Sequence, residues 1–177
     1  WRQGSTPIEV DDPASVAVLA QTETDLGALQ ISDERTGTPF VAAGAPWFMT
    51  LFGRDSLLTA WMALPLDAGL AMGTLEILAT TQGQRVNPCT EEEPGRILHE
   101  LRLGPESKHA LGGSHYYGSV DATPLFVMLL VEAWRWGADA ETIRRLLPAA
   151  DAAQKWLEDY GDRDGDGFVE YQRATDQ

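Results

Sequence analysis

Leu125-Phe126-Val127-Met128-Leu129-Leu130-Val131 is an unbroken apolar run inside a helical stretch from about Asp121 to Trp136. A helix that is apolar around its whole circumference must be covered on all sides. The helix predicted next, from about Ala140 to Tyr160, is two-faced. Glu141, Arg144, Arg145, Asp151, Lys155 and Glu158 form its wet side, and Leu146, Leu147, Ala150, Ala153, Trp156 and Leu157 its dry one. A buried helix followed by a half-wet one is the unit from which concentric helical toroids are built. The pattern therefore predicts an all-α fold, with inner helices covered on both sides and outer helices facing solvent. Five or six helices cannot close such a ring, so an incomplete toroid with long loops is expected, and near the C-terminus Asp162 to Tyr171 reads as a tight β turn into a short strand.

Upstream, Asp12-Pro13 reads as an N-cap followed by proline at the first helical position, opening a helix over roughly 13–30 with Val16, Leu19, Ala20, Leu26 and Leu29 at helical spacing. Residues 31–45 carry Gly37, Pro39 and Gly44 and read as loop, with a short strand at Phe40-Val41. A second helix is predicted from Gly53 to Leu64, broken by Pro65, and a third from Asp67 to Thr81, with Gly83 as its closing glycine. Residues 83–120, with Pro88, Pro94, Gly104-Pro105 and Gly112-Gly113, are too irregular for long elements. A loop of that length is usually functional or disordered, and its Tyr, His and charged residues make this one read as a folded functional loop.

The whole chain, residues 1–177, reads as one domain with a sizeable core: 44% of residues are hydrophobic and 23% charged. A net charge of −14 argues against nucleic acid and anionic membrane surfaces as partners. One cysteine, Cys89, excludes an internal disulfide framework and a cysteine metal cluster. No apolar run reaches the ~18 residues of a membrane span and no signal peptide is visible, so the expected compartment is cytoplasmic. The start at Trp1-Arg2-Gln3-Gly4 and the end at Asp176-Gln177 suggest a piece of a longer protein.

Several motif readings fail. His99-Glu100 begins a zincin motif, but Leu103 stands where the second histidine is needed. Gly113-Ser114-His115 lacks the second glycine of a nucleophile elbow. Asp162, Asp164, Asp166 and Gly167 match the opening of an EF-hand loop, but Arg173 stands where its bidentate glutamate belongs. Two readings stay open there: a looser calcium site using Asp162, Asp164 and Asp166, or a turn whose aspartates cap backbone N–H groups.

Three stretches are richer in chemistry. Pro46-Trp47-Phe48-Met49-Thr50-Leu51-Phe52-Gly53-Arg54-Asp55-Ser56 sets aromatic rings beside an adjacent Arg-Asp pair. Arg54 offers a rigid fork of donors and Asp55 accepts, while rings can stack on the C–H faces of a pyranose. The plainer alternative is a solvated ion pair at a helix start. In Glu93-Pro94-Gly95-Arg96-Ile97-Leu98-His99-Glu100-Leu101-Arg102, the spacing lets Arg96, His99 and Glu100 buttress a pocket wall, or leaves them as local ion pairs. In His115-Tyr116-Tyr117-Gly118-Ser119-Val120-Asp121-Ala122-Thr123-Pro124, two tyrosines and Asp121 form either a sugar-binding lip, or core lids with Asp121 as a helix cap.

Taken together and in this order, Phe52-Gly53-Arg54-Asp55-Ser56, Glu93 to Arg102, Tyr116 to Pro124 and Asp164-Gly165-Asp166-Gly167-Phe168 resemble the catalytic domain of amylo-α-1,6-glucosidases, the glycogen-debranching enzymes. These belong to the wider set of inverting glycosidases with an (α/α)6 toroid. The resemblance covers roughly residues 10–177. It implies an oligosaccharide or glycogen-like substrate with α-glucosidic bonds, Arg54 and Asp55 on the hydroxyls of a terminal glucose, Trp47 and Tyr117 along the pocket wall, and Asp121 near the sugar. Inverting hydrolysis needs an acid and a base ~6.5–9.5 Å apart. In the family the acid follows the Asp-Gly-Asp-Gly turn and the base lies near the end of the toroid, so neither is expected here. The chain is thus expected to be the first half of such a domain: it holds substrate, is inactive alone, needs no cofactor apart from any calcium at the turn, and self-associates through its open flanks. The competing expectation is a non-catalytic helical domain that binds carbohydrate or calcium.

Overall fold

The computed structural model describes residues 6–102 and 114–174. The Gly104-Pro105 and Gly112-Gly113 breaks, Leu103 and both chain ends lie outside them. Five α-helices carry the described fold: α1 Pro13–Leu29, α2 Gly53–Met62, α3 Ala68–Thr80, α4 Ala122–Arg135 and α5 Ala140–Trp156, the last running into a π-helical turn, Leu157–Gly161. Two small antiparallel pairs accompany them. β1 Gln30–Ser32 pairs with β2 Pro39–Val41, Ile31 facing Phe40, and β3 Glu100–Leu101 pairs with β4 His115–Tyr116. The fold is therefore mostly α rather than all-α. The short strand expected after the aspartate turn does not form: residues 169–174 have no regular structure.

Local chemistry sets the helix ends. Asp12 accepts from Ser15 N (2.8 Å) with Pro13 in the first turn, Asp67 accepts from Gly69 N (2.7 Å), and Asp139 accepts from Thr142 N (2.8 Å). Gly83 is not the closing glycine of α3. Helix α3 ends at Thr80, and the next residue, Thr81, turns its hydroxyl back to the Leu78 carbonyl. Gly83 is small for another reason: a Cβ there would lie 2.3 Å from the Glu93 carbonyl oxygen, against which its backbone is pressed.

The core joins α2, α3, α4 and α5 around Leu57, Leu75, Leu78, Phe126, Leu129, Leu146 and Ala153. Helix α4 packs on α2, α3 and α5 but is not covered on all sides, as its apolar run had suggested. Phe126, Leu129, Leu130 and Ala133 are buried, while Met128 (49%), Val131 (46%) and Trp134 (54%) are exposed along the opposite stripe. Leu147 of α5, expected on the dry face, is exposed beside them, and an apolar groove of about 270 Å3 runs between α4 and α5 there. Helix α1 has no buried residue, and Val16 and Ala20 of its predicted apolar face are in solvent. Only its last turn, Leu26 and Leu29, packs, against Val41, Ala63 and Leu70.

Candidate functional site

Three chain segments meet side by side at the start of α2. Leu101 N–H donates to the Leu51 carbonyl (2.9 Å), Gly53 N–H to the His99 carbonyl (2.9 Å), and His99 N–H to the Tyr116 carbonyl (2.9 Å). Residues 51–53 thus line one edge of β3 while β4 holds the other, and Phe52 bridges Glu100. Buried hydroxyls fasten the ladder to its surroundings: Thr50 Oγ1 donates to the Leu101 carbonyl (2.7 Å), Ser56 Oγ to the Val41 carbonyl (2.6 Å), and Thr123 Oγ1 accepts from Ile97 N–H (3.0 Å). Gly53 sits where no side chain fits, since a Cβ would stand 2.1 Å from the Leu98 carbonyl oxygen and 2.9 Å from the Ala122 Cβ. That close approach brings the first turns of α2 and α4 together.

Arg54 and Asp121, far apart in sequence, then meet. Arg54 Nη1 donates to Asp121 Oδ2 at 2.9 Å, and Arg54 Nε lies 3.9 Å from Asp55 Oδ2. One guanidinium is flanked by two carboxylates, partly open to solvent. The hydrogen bond and charge of Asp121, with the charge of Asp55, raise the Arg54 pKa above its ordinary value. Asp121 does not cap α4, because its side chain makes no capping bond. Its other oxygen, Oδ1, is buried with no hydrogen-bond partner, and so is Nδ1 of His99. Buried polar atoms of this kind are normally satisfied, by water or by a ligand.

An aromatic file leads from the surface to this point. Phe48 stands edge-on to Phe52 (5.8 Å between centroids), Phe52 to His99 (6.1 Å), and His99 to Tyr116 (6.0 Å). Burial, and then the positive charge of Arg54, lower the His99 pKa, with Glu100, Asp121 and Asp55 opposing. His99 is therefore neutral at pH 7. Phe48 pairs with Gly44 across a tight hairpin, whose tip carries Trp47, 85% exposed.

Of the residues singled out from the sequence, the structure brings Arg54, Asp55 and Asp121 together, with His99 beside them. Glu100 is buried nearby and bonded to Arg102 (2.6 Å). For two stretches the observed placement is the plainer of the alternatives the sequence leaves open. Tyr116 and Tyr117 are buried lids rather than a lip. The Tyr117 hydroxyl donates to the Thr81 carbonyl (2.8 Å) beside a separate polar cavity of about 400 Å3, and burial followed by the charge of Glu92 pushes its pKa up to about 12. Arg96 turns away from the site, into a buried cluster with Glu91, Glu93 and Trp156. Glu91 itself was invisible in the sequence as anything but one of three acids in a loop.

The aspartate turn gathers one oxygen each from Asp162, Asp164 and Asp166 within 4.8 Å of one another. These side chains already serve the turn. Asp162 accepts from Gly165, Asp166 and Gly167 N–H, Asp164 from Asp166 N–H, and Asp166 from Phe168 N–H. Calcium takes six to eight oxygens, and no further acidic side chain joins the three among the described residues. The donor set fits calcium only with several waters completing the shell.

No protein-family model and no curated protein matches this chain.

Proposed function

We propose that this chain is the sugar-holding part of a glycoside hydrolase domain acting on α-glucosidic bonds, of the amylo-α-1,6-glucosidase kind and built as an (α/α)6 toroid. The observation that carries the reading is the Arg54 guanidinium held between Asp121 (2.9 Å) and Asp55 (3.9 Å), beside buried atoms of Asp121 and His99 that lack partners. Fixed donors and acceptors of both kinds, with aromatic rings at hand, suit the vicinal hydroxyls and C–H faces of a pyranose. Neutral His99 can donate or accept toward such a hydroxyl. Trp47, exposed on its hairpin tip, is free to stack on a sugar unit.

Asp55 and Asp121 both flank one guanidinium, an arrangement for gripping hydroxyls rather than for an acid and a base spaced across a glycosidic bond. We therefore assign neither to proton transfer, and place the acid and base on chain outside these residues. The exposed stripe of α4 supports the same reading, as an inner helix lacking a neighbour, and implies self-association of the isolated chain. The test is binding: Asp121→Asn should abolish saturable glucoside binding while leaving the helical signal unchanged. Undiminished binding in that variant contradicts the assignment. The cluster at Asp162, Asp164 and Asp166 favours one addition, a weak calcium site apart from the sugar site.

A further inference from the structure

Glu91 is a charged side chain in the interior, 3% exposed, on a backbone with φ of +54°. A non-glycine residue in the left-handed region is strained and persists only where its surroundings hold it. Here they do. Ala174 N–H (3.1 Å) and the Tyr116 hydroxyl (3.4 Å) donate to Oε1, and the Tyr171 hydroxyl (3.0 Å) donates to Oε2. Arg96 lies 3.9 Å from Oε2 and donates to the Glu91 carbonyl (2.8 Å). Arg96 is itself buried, bonded to Glu93 (3.3 Å) and the Ser119 carbonyl (3.1 Å), and lies 5.1 Å over the ring of Trp156, whose Nε1–H donates to Glu93 (2.8 Å). A buried carboxylate surrounded by donors is stable, and one deprived of them is costly.

Two of these donors belong to residues 171–174, which have no helix or strand of their own. A third belongs to Tyr116, whose ring stands edge-on to His99 at 6.0 Å. One carboxylate therefore ties an irregular strap, a strand of the site's ladder and, through Tyr116, the imidazole beside Arg54. Burial, then hydrogen bonds to Tyr116 and Glu91, push the Tyr171 phenol far above its ordinary value, so it stays a donor at any physiological pH.

We propose that Glu91 is a latch: it fastens residues 171–174 to the body of the domain and, through Tyr116, fixes the position of His99 in the sugar site. Glu91 acts as a positioning residue. It touches no ligand, and the coupling stands whether or not the site holds a sugar. When the strap is released, Glu91 loses two of its donors, and Tyr116, which shares its Oε1, is held less firmly against His99.

The test uses the full chain with Tyr171→Phe and Glu91→Gln. Tyr171 is 44% exposed, so losing its hydroxyl leaves no cavity. Glutamine at 91 keeps the shape but turns an amide N–H toward Ala174 N–H or Arg96. Two signals are read by NMR: hydrogen exchange of the Ala174 amide, and the titration midpoint of the His99 ring. The charged groups acting on His99 from its neighbours (Arg54 and Asp55 of α2, Glu100 of β3, Asp121 before α4) are unchanged in both variants. The latch predicts about tenfold faster exchange at Ala174 in Tyr171→Phe, from loss of a hydrogen bond to a charged acceptor. It also predicts a His99 midpoint moved up toward the ordinary imidazole value as burial is lost. Unchanged exchange, or faster exchange with an unmoved His99 midpoint, overturns it. If Glu91→Gln does not fold, Tyr171→Phe alone decides.

Discussion

Arg54 is the residue around which the candidate site is built. Its neighbour in sequence is Asp55, but its shorter bond is to Asp121, brought there by the contact of two helix starts. In a catalytically complete enzyme carrying this chain, Asp55→Asn is expected to lower kcat/KM for an α-glucoside by about 10² or more, because one acceptor atom becomes a donor. Wild-type kinetics would return the Arg54-Asp55 pair to a surface ion pair. His99 carries a pH dependence whose sign follows from its lowered pKa. The unfolded chain takes up the proton at a higher pH than the folded one does. Stability is therefore lost as pH falls below the unfolded value of ~6.5, and the loss levels off below the folded value. Melting temperature should drop across that window in the wild type and drop less in His99→Gln. Equal slopes in the two proteins would contradict the partial burial of His99.

Between elements, helix existence was legible and helix environment was not. The cap at Asp12 and the break at Pro65 bounded α1, α2 and the start of α3 closely, because those signals are local. The seven-residue apolar run of α4 correctly marked a helix, but its burial depends on what stands beside it, which no local pattern states. Arg54 and Asp55 were readable as a site because they are adjacent. Asp121 was weighed as a cap because aspartate at that position usually is one, and only the long-range contact with Arg54 reverses that choice. Glu91 carried no signal at all, since its donors are up to 83 residues away. The close approach at Gly53 is testable directly. Gly53→Ala sets a methyl 2.1 Å from a backbone oxygen, so denaturant unfolding should show a loss of about 3 kcal/mol or more. A loss under about 1 kcal/mol would mean the α2 and α4 starts are not so tightly joined. For the turn, the proposed calcium site predicts that a chelator lowers the melting temperature and that added calcium restores it. No change at millimolar calcium leaves Asp162, Asp164 and Asp166 as turn caps alone.

For the whole molecule, the described helices form a core with one side left open. Met128, Val131, Trp134 and Leu147 make an apolar surface around the α4/α5 groove, and Val16 and Val18 of α1 add another exposed patch. No helix among the described residues is long and apolar enough to cross a membrane. We propose that these exposed apolar side chains are where copies of the chain meet. Sedimentation should give a mass above that of the monomer, shifted back toward it by Trp134→Lys and Val131→Lys; a monomeric wild type would contradict this. The proposed hold of the Arg54-Asp55-Asp121 cluster on a glucose unit is open to an NMR titration of the chain with maltose and isomaltose. Saturable shifts at millimolar sugar, confined to the Arg54 side chain, the amides of residues 53–55 and the His99 ring, and absent in Asp121→Asn, are the predicted result. No shift at these groups up to tens of millimolar sugar, or equal shifts in Asp121→Asn, would contradict it.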